Sequence, residues 1–431
     1  MKCREYGIVK YLIEIGNKLN VAQTRAVKSQ TLITELYLLD QKLPARVWLP
    51  LYSDTSAHLV MRIPYTEGCV LNSKDRSPYC FYCEVIEVDD VETAQLPNNK
   101  PVRRNSKNQS RPTQQKLRRK PGLSRTADDP SASVMSELWE EKQRRIKESS
   151  PYGKMAGWKL LAAIVKTGDD LRQELLAYQL LTTLQGIWNE TGVPLSLRPY
   201  KIVVCSHSSG MIEPIPNACS LHQIKKNLVS KLHLDDANQV YPPTLLSHFL
   251  IHYGSRLSES FQHAQQNFIQ SCAAYSLACY YLQVKDRHNG NILLDSEGFL
   301  IHIDFGYILT ISPRNLGFET SPFKLTSELV EVMGGPNSES YAYFRELLFS
   351  GMMAVRQHYQ KIMALVDVRS NNSLPCFRGG NNAVKLLLDR FHIGCSDEEL
   401  RNVVNGLIDQ SRDSLTTRLY DNFQYYTNGI F

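Results

Sequence analysis

The segment on which the fold turns reads Asp286-Arg287-His288-Asn289-Gly290-Asn291-Ile292-Leu293-Leu294-Asp295-Ser296-Glu297-Gly298-Phe299-Leu300-Ile301-His302-Ile303-Asp304-Phe305-Gly306. Two apolar runs flank Ser296-Glu297-Gly298, which predicts a β-hairpin with Gly298 in the left-handed conformation that a tight turn needs. With the pair centred between Glu297 and Gly298, residues whose numbers sum to 595 stand opposite each other, and Asn291 and Asp304 are such a pair. An amide oxygen and a carboxylate then meet at the open end of the hairpin, a hard-oxygen combination that suits Mg²⁺. Asp286 and His288 stand just before them on the same loop.

That loop resembles the catalytic loop and metal-binding Asp-Phe-Gly of kinases. Protein kinases read His-Arg-Asp-x-x-x-x-Asn, whereas the order here is Asp-Arg-His-x-x-Asn, the form seen in phosphatidylinositol 3/4-kinases and their large protein-kinase relatives. Upstream, Ala163-Ile164-Val165-Lys166 ends a strand-like run at 158–166, and Thr167-Gly168-Asp169-Asp170 has the residues to cap a helix predicted at 169–188. The stretch from Lys166 to Glu174 is similar to the Lys-x-Gly-Asp-Asp-Leu-Arg-Gln-Asp/Glu of the lipid kinases. The resemblance implies Lys166 on a nucleotide phosphate, with Glu174, expected two turns into the helix, holding it as an ion pair. No GxGxxG occupies the place of a phosphate loop. Leu71-Asn72-Ser73-Lys74-Asp75 resembles the shorter phosphate-binding turn of these enzymes, where backbone N–H groups, the Ser73 hydroxyl and Lys74 would meet phosphate oxygens. Adenine would lie against Ile303 and Gly210-Met211-Ile212-Glu213-Pro214-Ile215, with the backbone of Glu213 and Ile215 as hinge.

Three longer runs, Lys42-Leu43-Pro44-Ala45-Arg46-Val47-Trp48-Leu49-Pro50, 284–295 and 312–320, together with Tyr426-Thr427-Asn428-Gly429-Ile430, resemble the phosphatidylinositol 4-kinases of that family. The resemblance implies an α+β, bilobal kinase fold. A remnant helical region would occupy 1–43, and a β-rich N-lobe and hinge 44–215. A mainly helical C-lobe would fill 216–431 and end in one amphipathic helix at 397–423. It implies transfer of the ATP γ-phosphate to the 4-hydroxyl of phosphatidylinositol, with Asn291 and Asp304 holding Mg²⁺ or Mn²⁺. Asp286 or His288 would take the hydroxyl proton, and spacing does not choose between them. It also implies peripheral attachment to Golgi and other intracellular membranes, and adaptor proteins there. Between residues 307 and 325 only Arg314 and Lys324 are basic, which suits a headgroup carrying a single bridging phosphate.

The charge of the chain is confined in the same selective way. Of 431 residues, 42% are hydrophobic, enough to build a core and to exclude a wholly disordered chain. The net charge is +6, yet ten basic residues and no acidic one lie within 98–126, and subtracting them leaves −4 for the rest. A general nucleic-acid binder is excluded on that ground. The region 97–135 is predicted to be a disordered basic insert hung from the N-lobe, suited to an anionic membrane surface. Within it Arg103-Arg104-Asn105-Ser106 suits a basophilic kinase, so Ser106 is a candidate regulatory site for a phosphoserine-reading partner.

Ten scattered cysteines suggest reduced thiols, and Cys80 and Cys83 read as buried strand residues, since no second pair completes a zinc site. The start offers no apolar signal-peptide core, and the longest mostly apolar stretch, 272–284, falls short of a bilayer span. Strands are expected at 45–51, 58–63, 79–88, 199–206 and 211–215, and helices at 244–252, 261–282, 338–368 and 382–391. The apolar residues Leu400, Val403, Val404, Leu407 and Ile408, continued by Leu415, Leu419, Phe423 and Tyr426, are expected to be core, with Ile430 and Phe431 able to dip into a membrane interface. Two other classes fit parts of the pattern: a peptide-directed kinase sharing Asp-Arg-His, and a catalytically dead scaffold. The presence of Lys166, Asp286, His288, Asn291 and Asp304 together argues against the second.

Overall fold

A computed structural model describes residues 3–431 apart from 72, 74–75, 97–136, 233–243, 313–319, 371–373 and 379. The chain divides into two compact units, Met1–Leu171 with Tyr200–Asn217, and Arg172–Pro199 with Ala218–Phe431. The first begins with helices α1 (Cys3–Val21) and α2 (Arg25–Asp40). Strands β1 (His58–Arg62), β2 (Cys69–Val70) and β3 (Tyr79–Glu87) come next, then α3 (Trp139–Ser149) and β4 (Trp158–Thr167). The unit closes with β5 (Ile202–Ser206) and β6 (Ser209–Ile212). They form an antiparallel sheet in the order β1-β3-β4-β6-β5, with β2 also paired to β3.

Both faces of β3 are covered, which is why its sequence reads as an unbroken apolar run. Tyr79, Phe81, Cys83 and Val85 pack with Leu12, Ile15, Leu19, Leu32 and Leu36 of α1 and α2. Cys80 and Tyr82 pack on the other side with Ile146 of α3, Cys69 and Ala162. Cys80 and Cys83, three apart on a strand, therefore point to opposite faces and cannot share a metal. Each fully buried aliphatic side chain of α1 contributes about 1.5–3 kcal/mol to holding that helix on the sheet.

The second unit contains α4 (Arg172–Thr191), β7 (Ala218–Ser220), α5 (Leu221–Leu232), α6 (Leu245–Tyr253) and α7 (Glu259–Leu282). The hairpin β8 (Ile292–Asp295) and β9 (Leu300–His302) adds to β7 as a small antiparallel sheet. Then come α8 (Ser327–Val332), α9 (Glu339–Gln357), α10 (Tyr359–Ser370), α11 (Asn381–Asp389), α12 (Asp397–Ser411) and α13 (Leu415–Asn428). Serine side chains cap α7, α9 and α12, the last through a full capping box of Ser396 and Glu399.

Several expectations need correction. Residues 45–49 form no strand: the chain bends at Arg46, where Val47 N–H donates to Ala45 O at 2.9 Å, and proline opens a 3₁₀ turn at Pro50–Tyr52. The run 338–368 is two helices, broken at His358, whose φ −117° and ψ 19° leave the helical region. α4 begins at Arg172, not Asp169, since Gly168 takes φ +90°, so Glu174 lies in the first turn. The expected helix 397–423 is also two: Arg412 is extended and bridges Leu325, and Asp413 takes φ +49° while its N–H donates to Leu325 O at 3.0 Å. That break redirects α13 and changes which of its faces is buried. Leu400, Val404 and Ile408 are core as expected. Leu415, Leu419, Phe423 and Tyr426, expected to be core, are 67%, 50%, 41% and 83% exposed, and α13 instead buries Thr417, Tyr420 and Gln424.

Candidate active site

The hairpin β8–β9 exists, but its register differs by one from the expected pairing. Ile292 faces His302, Leu293 faces Ile301 and Leu294 faces Leu300, so the numbers of opposed residues sum to 594. The cause is a three-residue loop. Asp295 N–H donates to Phe299 O at 3.0 Å, Gly298 takes φ +92°, and the Asp295 carboxylate accepts the N–H groups of Glu297 at 3.0 Å and Phe299 at 2.9 Å. Asn291 consequently faces Ile303, whose N–H donates to Asn291 O at 3.0 Å. Asp304 follows with φ +60°, outside strand geometry, so the alternation of faces that a flat register would impose on it ends there. A non-glycine residue in that region is held by its surroundings.

Arg287 supplies the hold. This residue is 3% exposed, and its guanidinium donates to Lys285 O at 3.1 Å, to Ile303 O at 2.7 Å and to Asp304 O. One rigid fork thus fastens the loop that carries Asp286 and His288 to the chain that carries Asp304. Asp286 also takes a positive φ, +64°, and its carbonyl accepts Asn291 Nδ2 at 3.0 Å. That bond uses the donor end of the amide and turns its oxygen the other way, the orientation a hard cation requires of it. Among the described residues no group of three or more His, Cys, Asp and Glu could cage a metal. Mg²⁺ does not need such a cage when substrate phosphates complete its shell, and the amide oxygen of Asn291 and the carboxylate of Asp304 are hard donors of the kind it takes.

His288 is held neutral. Burial, followed by the nearby charges of Arg287 and Lys324, pushes its pKa down to about 4. Its Nδ1 accepts Gly290 N–H at 3.1 Å, which places the ring proton on Nε2, 3.9 Å from Asp286 Oδ1. From α13, the buried Tyr420 hydroxyl donates to Asp286 Oδ1 and accepts Gln424 Nε2 at 2.6 Å, while Asn428 Nδ2 donates to Gln424 Oε1 at 2.6 Å. The same helix offers Asp421, whose carboxylate lies 2.6 Å from the Lys324 ammonium. Lys324 is 7% exposed, so its charge is buried together with that carboxylate. At the chain's last residue, Phe431 stacks on His222, its N–H donates to His222 Nδ1 at 2.9 Å, and its carbonyl accepts Asn289 Nδ2 at 2.8 Å. Tyr420 and Gln424 were not singled out by sequence, and Arg287 only as a letter of Asp-Arg-His; the polar break Ser411-Arg412-Asp413-Ser414 in the apolar stripe is the signal that could have found the first two.

The remaining candidates belong to two places. Lys166 is half-buried near the end of β4, opposite Gly210 of β6, and Ser73 is exposed in the turn joining β2 to β3. After β6, Glu213 N–H donates to Lys201 O at 2.9 Å and its carboxylate accepts Lys201 N–H at 3.0 Å, so a base contact by Glu213 must run through its carbonyl. Ile215 and Ile303 are both half-buried. Glu174 is 6% exposed and belongs to the second unit. Lys74, Arg314, Ser106 and the basic insert lie outside the described residues.

The sequence profile of phosphatidylinositol 3- and 4-kinase matches residues 161–379, a span that holds Lys166, the 286–291 loop and Asp304. The chain belongs to the phosphatidylinositol 3- and 4-kinase family. Its α+β architecture is that of a phosphatidylinositol 3- and 4-kinase. It is 42% identical to phosphatidylinositol 4-kinase beta of Rattus norvegicus and of Mus musculus over 507 aligned positions, covering 99% of this chain and 60% of each relative. The same identity holds against phosphatidylinositol 4-kinase beta of Xenopus tropicalis, of which 61% is covered. The chain thus spans about 60% of the length of the curated relatives it matches. No helix among the described residues is long and apolar enough to cross a membrane.

Proposed function

We propose that this chain is a lipid kinase that transfers the γ-phosphate of ATP to the 4-hydroxyl of phosphatidylinositol. The observation that carries the reading is the Arg287 clamp, which ties the loop of Asp286, Arg287 and His288 to the carbonyls of Ile303 and Asp304. The choice of position 4 rests on the printed names of the relatives.

Asp286 acts as the proton acceptor. The neutral ring of His288 has its Nδ1 lone pair engaged by Gly290 N–H, so Nε2–H is a donor and is suited to a phosphate oxygen of the transition state. The attacking hydroxyl oxygen bonds to phosphorus as its proton passes to Asp286, and the bond from phosphorus to the β,γ-bridging oxygen breaks to release ADP. Asn291 and Asp304 would hold Mg²⁺ or Mn²⁺, which supplies charge neutralisation at the phosphates. Lys166 and the turn containing Ser73 and Lys74 are the candidates for the phosphates, Glu174 is the partner the resemblance gives to Lys166, and Glu213, Ile215 and Ile303 are the candidates for the adenine. Arg314 and Lys324 are the candidates for the headgroup.

The exposed stripe Leu415, Leu419, Phe423 and Tyr426 supports contact with a membrane surface, and the basic segment 98–126 supports anionic lipid there. Attachment to Golgi membranes and their adaptors, and a regulatory role for Ser106, are part of the same reading and rest on the resemblance and the local sequence. Labelled ATP incubated with phosphatidylinositol vesicles tests it: label should appear on the 4-hydroxyl, and Asp304→Ala should lower the rate by orders of magnitude. Transfer to peptide with none to lipid, or full activity of Asp304→Ala, would overturn it.

A further inference from the structure

The last turn of α1 carries Asn20, whose side-chain amide joins two segments far apart in the chain. Nδ2 donates to Thr167 O at 3.1 Å and to Thr167 Oγ1 at 3.0 Å, while Oδ1 accepts Ser77 N–H at 2.7 Å. The orientation of the amide is fixed by its partners, since a backbone N–H can only donate and a carbonyl can only accept. Thr167 ends β4 directly after Lys166. Ser77 stands at the far end of the 71–78 turn, which Leu71 N–H closes by donating to Pro78 O at 2.8 Å. Both partners are 3% exposed, so these bonds are shielded from water.

A second feature of α1 points at the same threonine. Gly16 lies one turn before Asn20, and a Cβ there would stand 2.6 Å from Thr167 Cγ2 and 2.7 Å from its Oγ1. The missing side chain is what lets the helix come close enough for Asn20 to reach. The helix cannot drift away, because Leu12, Ile15 and Leu19 are 0% exposed and Tyr79 Oη donates to Leu12 O at 2.7 Å.

We propose that Asn20 is a positioning residue for the nucleotide phosphates. It is a spacer that fixes the turn containing Ser73 at a set distance from the strand end that carries Lys166. Through it α1, a helix outside the sheet, sets the affinity for ATP. The proposal rests on the reading of Lys166 and this turn as the phosphate-binding side. A triphosphate is gripped from both places at once, so displacing one relative to the other by about 1 Å weakens both contacts together.

The test is steady-state kinetics with ATP and phosphatidylinositol vesicles varied separately, on the full chain and on Asn20→Asp, Gly16→Ala and Lys166→Met. Asn20→Asp keeps the shape and the acceptor for Ser77 but sets a carboxylate against the Thr167 carbonyl. Gly16→Ala raises the helix propensity of α1, so a loss there is not failure of the helix to form. Both should raise KM for ATP about tenfold, equivalent to about 1.4 kcal/mol. The KM for phosphatidylinositol should be unchanged. A purely structural role would lower the melting temperature and the apparent kcat and leave KM for ATP alone, and that result overturns the proposal. So does an unchanged KM for ATP in both variants while Lys166→Met abolishes transfer. If Lys166→Met itself retains native ATP dependence, the phosphate-site reading fails, and the spacer role fails with it.

Discussion

Replacing Arg287 by lysine keeps the positive charge and removes the fork. The guanidinium donates to three carbonyls, those of Lys285, Ile303 and Asp304, while the side chain is 3% exposed and no water can stand in for a lost donor. A lysine ammonium on its single stem can satisfy one of those three sites well. Two bonds to a charged donor are then lost, at about 1.5–3 kcal/mol each, so the folded state should lose about 3–6 kcal/mol before relaxation. The kinetic effect follows from Asp304: with its carbonyl no longer pinned, its φ of +60° has less to sustain it and the carboxylate shifts. A displacement of about 1 Å at a reacting group costs about 100-fold in rate. Transfer of label from ATP to phosphatidylinositol vesicles, read beside urea unfolding midpoints, should therefore show kcat down about 100-fold and a midpoint clearly lowered. If Arg287→Lys keeps kcat within about twofold of native and unfolds at the native midpoint, the carbonyl clamp does not set the position of Asp304 and the argument for the site loses its support.

Two further outcomes follow from single contacts. Tyr420→Phe deletes the hydroxyl that donates to Asp286 and accepts from Gln424, a charge-assisted bond worth about 1.5–3 kcal/mol, so kcat should fall about tenfold with KM for ATP unchanged; native kcat would detach α13 from the chemistry. His58 is fully buried, accepts Leu49 N–H at Nε2 and contacts Ser56 O through Nδ1, and burial lowers its pKa below the ordinary 6.5. The unfolded chain binds that proton first, so stability is full above about pH 6.5 and falls on acidification by at most about 1.4 kcal/mol per pH unit. His58→Gln should flatten the dependence of the urea midpoint between about pH 7.5 and 5.5, and an equally steep variant would refute the assignment.

What could be read from sequence was local. The hairpin, the strand that carries Lys166 and the long helix after residue 258 follow from periodicity and turn chemistry that sit within a few residues of one another. The register of the hairpin did not follow, because Gly298 was placed in a two-residue turn when the Asp295 side chain closes a three-residue one. Composition alone does not distinguish the two. The apolar stripe of α13 misled for a different reason: helical periodicity marks a face but not which side of the molecule it meets, and a polar row of Tyr420, Gln424 and Asn428 is the one turned toward the catalytic loop. Asn20, which bonds a threonine 147 positions away, leaves no local trace at all.

Helix α4 is made between strands of the first unit yet belongs to the second. Its Trp188 is fully buried and donates from Nε1 to Gly351 O at 3.1 Å, 163 residues later in the chain. At a synthesis rate of about 5–20 residues per second, the tryptophan emerges roughly 10–30 s before its partner exists. Over that interval Trp188 lacks the α9 carbonyl it will finally bond, while β5 and β6 are already available to complete their sheet. The sheet of the earlier unit can thus be completed while Trp188 still lacks its acceptor.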